Sequence, residues 1–160
     1  MDDFLKQFAA SQVRGAVIGC AVCGPLISLL SNLRCRALPL ANAIVDGALT
    51  ALCIAVVVAW GSEFVFRTGC RKNPWFKLED HPLGEEGKIL PLLPRHSAVL
   101  GAVFGVAGAA LWTLLLYFLF TLLARDTFPF WLFLLLKIVF CGGLGGCTAR
   151  FAALNNFRYR

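Results

Sequence analysis

Charged residues make up only 15% of this 160-residue chain, and histidine occurs twice, as His81 and His96. Soluble domains carry roughly a quarter charged residues, and the few charges here are bunched between long uncharged runs. A soluble chain of this length could bury one ordinary core, but not a 59% hydrophobic composition with a mean hydropathy of +0.75. Neither histidine lies within an apolar run, which excludes paired haem ligation inside a helical bundle. HExxH, GxSxG, phosphate-cradling glycine loops and carboxylate-rich di-metal patterns are missing. No catalytic residue, metal or cofactor is therefore expected. A basic groove with stacking aromatics on a soluble face is missing too, which removes nucleic acid as a partner.

What the chain has is length of apolar sequence. Four stretches, approximately 13–31, 43–66, 97–124 and 129–149, reach the roughly 20 apolar residues that cross a hydrocarbon core. Backbone groups in lipid must be satisfied within the segment, so runs this long read as helices. The fold class expected is an all-α membrane protein, four transmembrane helices arranged as two antiparallel hairpins. The first run follows Asp2 and Asp3 rather than a basic segment and shows no clear small-x-small cleavage site, so it reads as a span and not a cleavable signal.

Lys and Arg set the orientation. Lys6, Arg14, Arg67, Arg71, Lys72, Lys77, Lys88, Arg95, Arg150, Arg158 and Arg160 fall on one side, against Arg34, Arg36 and Arg125 on the other. The crowded side is expected to be cytoplasmic, with both termini there. The net charge of +6 then reads as topology plus attraction to anionic headgroups.

Along the chain, residues 1–12 read as a short interfacial helix, with Phe4, Leu5 and Phe8 on one face. Residues 13–66 form the first hairpin and 97–154 the second, with 155–160 as a cytoplasmic tail. Residues 67–96, with four prolines and three glycines, cannot build a core. They are expected to lie along the cytoplasmic membrane surface, a docking strap for a partner protein being the alternative. The hairpins align as copies when Gly15, Gly19 and Cys23 are set on Ser97, Gly101 and Gly105.

Three patterns could carry function. The first is small residues at helical spacing: Gly15/Gly19, Gly47/Ala51, Gly101/Gly105 and Gly142/Gly146, faces that let helix backbones approach closely. The run CGGLGGC at 141–147 reads either as tight packing or as a thinned point beside a permeation path or partner helix. The second is intramembrane charge. Asp46 and Lys137 differ in expected depth by roughly five residues, about 7–8 Å at 1.5 Å per residue, a distance lysine covers by snorkelling. An isolated charge there is costly and a pair facing the interior is tolerated, so an Asp46–Lys137 ion pair linking the hairpins is expected. It would be a coupling site, a structural clamp, or a lysine that merely reaches the headgroups. Glu63 could meet Arg14 or Arg150 at a helix end. The third is Cys20-Ala-Val-Cys23, the spacing of thiol–disulfide enzymes. It lies about two turns inside the first span with no base nearby, unlike a reactive pair. The remaining cysteines, an odd membrane-buried set with Cys35 alone outside, do not form a disulfide framework.

The duplicated-hairpin plan, with GAVIGCAVCGPLISLLSN as its first span, resembles a family of small bacterial inner-membrane proteins of unknown function built from one or two two-span repeats. The likeness covers the first span and the layout. It implies a bacterial inner-membrane location and brings no site residues. Two functions stay open: a small transport or permeation protein acting as a homo-oligomer, or a non-catalytic scaffold or accessory subunit gripping a partner membrane protein.

Overall fold

The computed structural model describes residues 3–32, 37–72, 94, 96–123 and 127–158. The elements run α1 (Asp3–Ser31), β1 (Ala37–Pro39), α2 (Leu40–Lys72), α3 (Ser97–Leu123), β2 (Thr127–Pro129) and α4 (Phe130–Arg158). All four helices are long and apolar enough to cross a membrane. Their outer faces are apolar as well: Leu122 is 71% exposed and Val139 76%. Lipid is the medium that such faces fit.

Several boundaries differ from the sequence reading. α1 is unbroken from Asp3, so the residues expected as an interfacial helix are its first turns. α4 likewise continues through 155–158, where a tail was expected. Residues 67–72 extend α2, and most of the strap expected over 67–96 lies outside the described residues, as do Cys35, Arg34, Arg36 and Arg125.

A short strand precedes α2 and another precedes α4. β1 and β2 pair antiparallel, with Leu38 opposite Phe128. Each strand ends in a proline, Pro39 or Pro129, directly before a helix. Proline pushes the residue before it into extended backbone and lacks an N–H to continue the ladder. Leu38 and Phe128 are 1% and 0% exposed and close one end of a core that includes Trp112, Leu116, Phe120 and Phe133. Phe120 stacks on Phe128 at 5.4 Å, and Trp112 meets Phe133 edge-on at 5.8 Å.

The helices do not pack chiefly within their hairpins. α2 packs mainly on α3 and α1 mainly on α4, with α2 and α4 in contact between them. The glycines are the cause, because helices in lipid associate by close van der Waals fit rather than hydrophobic force. A Cβ on Gly101 would lie 2.7 Å from Val56 Cα and 2.8 Å from the Ala55 carbonyl oxygen, and one on Gly105 2.9 Å from Leu52 Cα. In the other seam Gly142 sits on Ala21 and Val17, Gly145 on Cys20 and Ala16, and Gly146 on Val17. Three of the four glycines of CGGLGGC thus pack toward α1, and Gly143 meets nothing within 4 Å.

These contacts repeat. An offset of 84 residues carries α1 onto α3, and one of 90 carries α2 onto α4. Val17–Gly146 then maps to Gly101–Val56, Ala21–Gly142 to Gly105–Leu52, and Gly24–Ile54 to Gly108–Leu144. The strand pair maps onto itself about Leu38 and Phe128. The chain is two α–β–α units about an approximate two-fold axis, in a register two residues from the one that sets Gly19 on Gly101.

That shift corrects the reading of Gly15 and Gly19. Both face open space, with nothing within 4 Å of a would-be Cβ. Val17 and Ala21 hold the seam instead. Gly15→Ala and Gly19→Ala should leave thermal stability unchanged or raise it, by up to about 0.5–1 kcal/mol from helix propensity. Gly101→Ala should lower it by several degrees, because its Cβ meets backbone that cannot swing aside. Thermal unfolding of the three variants in one detergent measures the contrast.

Candidate functional site

Beneath the strand pair, three helices bring one polar side chain each to a single point. Lys137 of α4 is 0% exposed, and its Nζ lies 2.5 Å from Asp46 Oδ2 of α2. Lys137 also donates to Ser28 Oγ of α1, and Ser28 in turn donates to Asp46 Oδ2 at 2.6 Å. The three groups form a closed ring of hydrogen bonds, each with an ionised donor or acceptor and so stronger than a neutral bond. Thr50 donates to the Asp46 carbonyl oxygen at 2.6 Å, and the Phe133 ring centroid lies 5.6 Å from Lys137 Nζ, within cation–π range.

Helix geometry explains the meeting. α2 starts at Leu40 rather than near 43, so Asp46 is six residues into its helix and Lys137 seven into its own. Their depths differ by about one residue, or 1.5 Å, instead of the five expected. The lysine therefore turns inward to its partner without climbing, and it is fully buried. Asp46 keeps 20% side-chain exposure, so the ring is sealed on the lysine side and grazed by solvent or lipid on the aspartate side.

Ser28 was not singled out by sequence. Its signal was present: it follows Cys20 and Gly24 at four-residue steps, on the face of α1 that meets α4. The two-fold relation shows what it replaces. Its counterpart on α3 is Trp112, and the counterpart of Lys137 on α2 is Gly47. Trp112 lies where a Gly47 side chain would be and donates from Nε1 to the Ala43 carbonyl oxygen at 3.0 Å. The α2–α3 seam thus sets a large residue against a glycine, and the α1–α4 seam sets a small serine against a lysine. The polar ring occupies the place that an indole fills in the twin seam.

Ala51 is 0% exposed within the α2 face. Glu63 takes Arg67, one turn along α2. Cys20 is buried and Cys23 exposed, and both are free thiols. Trp60 and Trp131 are 65% and 64% exposed, while Trp112 is core. At the opposite end of the bundle Asn155 donates to the Pro94 carbonyl oxygen at 3.0 Å, near a small cluster of Ala59, Leu100 and Ala152.

Chemically, the ring can neutralise two charges in a low-dielectric interior and fix three helices to one another. No family model, curated protein or solved structure matches the chain.

Proposed function

We propose that the chain is a non-catalytic membrane scaffold or accessory subunit, with both termini on the cytoplasmic side, as the Lys and Arg distribution favours. The observation that carries this reading is the filled centre of the bundle. Trp112, Leu116, Phe128, Phe133 and Leu38 occupy its outer half at 0–1% exposure, and the charges beside them are closed on one another. Such a centre supports rigidity and suits a protein that acts through its outer faces. Its location in this reading is a bacterial inner membrane.

The second reading, a transport or permeation protein, is favoured by the Lys137–Asp46 pair itself, since ionisable residues inside membrane helices commonly serve ion or proton pathways. Four helices with a filled centre would then need an oligomer to enclose a path. Purification in mild detergent with native mass spectrometry separates the two. A stoichiometric foreign subunit is the expected result. A homo-oligomer that exchanges ions in liposomes, and loses the exchange on Asp46→Asn, would replace the scaffold by transport.

A further inference from the structure

Because α1 and α2 touch little, a groove of about 480 Å³ runs between them. It extends along α1 from Ser11 to Ile27, sixteen residues or about 24 Å. Gly15, Gly19 and Gly61 line it, and a Cβ on any of them would meet nothing within 4 Å. The corresponding space between α3 and α4 holds rings. The two-fold relation carries Cys20 onto Phe104 and Gly61 onto Phe151, whose centroids lie 5.2 Å apart. One unit fills its groove with its own aromatics, and the other has a thiol and a glycine in those positions.

The groove is graded. Toward Ile27 it is lined by Cys23, Cys53 and Ile54, and toward the terminal end by Ser11, Gln12 and Ser62. Ser62 is 3% exposed, and its hydroxyl has no hydrogen-bond partner. A buried hydroxyl left unpaired is costly; Ser62 lines the groove at its polar end, and its hydroxyl, closed off while the groove is empty, meets an occupant by rotating about χ1.

We propose that this groove holds one hydrocarbon chain of a membrane lipid, with a polar atom at the lipid's interfacial end hydrogen-bonded to Ser62. A whole helix of a second copy does not fit within the groove. A helix about 10–12 Å across laid along 24 Å displaces on the order of 2,000 Å³, several times the space present. An alkyl chain, whose width follows from carbon contacts of about 3.5–4.0 Å, displaces on the order of 400 Å³ over the same length. The polar-to-apolar order from Ser62 to Ile27 matches a lipid lying parallel to the helices, its head at the interface.

The test uses the full chain in phosphatidylcholine vesicles, the lipid carrying a diazirine in one acyl chain. After irradiation and delipidation, label is mapped by peptide mass spectrometry. Label on the α1 and α2 groove walls should exceed that on the matching faces of α3 and α4 at least fivefold. Gly61→Phe, which copies Phe151, should remove that excess, and Gly15→Leu should do so from the other wall. Ser62→Ala should weaken retention about two- to tenfold without changing helicity. Equal labelling of both faces in the wild type would overturn the proposal, whatever the variants do. So would unchanged label in a folded Gly61→Phe protein, or cross-linking of the groove to a second copy instead of lipid.

Discussion

Asp46→Leu should cost the fold about 3–5 kcal/mol, the range for leaving one member of a buried ion pair uncompensated. Lys137 would then be an ammonium at 0% exposure with only Ser28 to accept from it. Lys137→Met should cost less, because Asp46 retains 20% exposure and a bond from Ser28. Replacing both residues together should recover most of the loss, since apolar isosteres of buried pairs are often neutral or stabilising. The measurement is a double-mutant cycle by unfolding in mixed micelles. Equal and additive losses would mean that the pair does not act as one unit. The cycle also bears on function: if the double variant folds and assembles as the wild type does, the ring is a clamp; if it folds but loses an ion flux, it is a coupling site.

The second large effect is expected at Gly47. Any side chain there overlaps the Trp112 indole, which is 0% exposed and held to the Ala43 carbonyl oxygen. Gly47→Ala should therefore destabilise by about 2–3 kcal/mol, the upper range for overpacking a filled interior. The indole cannot move aside, because Phe133 and Phe140 flank it at 5.8 and 4.7 Å. Trp112→Phe removes the nitrogen-bearing ring edge nearest Gly47. Combined with Gly47→Ala it should give a protein more stable than Gly47→Ala alone. If Gly47→Ala is instead as harmless as Gly19→Ala, the α2–α3 seam is not packed as described.

These two predictions mark where the sequence could be read and where it could not. The four helices were legible because the apolar runs are long, well beyond strand length. Asp46 and Lys137 were legible because a charge in such a run has few ways to be satisfied. Their relative depth was not, because it depends on where each helix begins, and Pro39 and Pro129 end short paired strands there. An apolar tripeptide before a proline, ALP or TFP, carries no periodicity from which a strand could be read. The packing partner of each helix was also hidden. Turn lengths placed α1 beside α2, but the seams are decided by which glycines find a matching backbone, and these lie on α3 and α4. Gly15 and Gly19 have the same spacing as Gly101 and Gly105, yet face open space. Spacing reveals a face and not what covers it.

The fold is defined by the helix pairing, α1 with α4 and α2 with α3, about one approximate two-fold axis. Cysteine cross-linking in native membranes tests it directly, in a background with the native cysteines replaced. Disulfides form where Cα atoms lie about 4.4–6.8 Å apart. Val17→Cys with Gly146→Cys, across the α1–α4 seam, and Ala59→Cys with Leu100→Cys, across the α2–α3 seam, should each cross-link rapidly within one chain. Gly19→Cys with Val57→Cys, across the α1–α2 groove, should not. Efficient cross-linking of the last pair with failure of the first two would restore two tightly packed hairpins and contradict the fold described here.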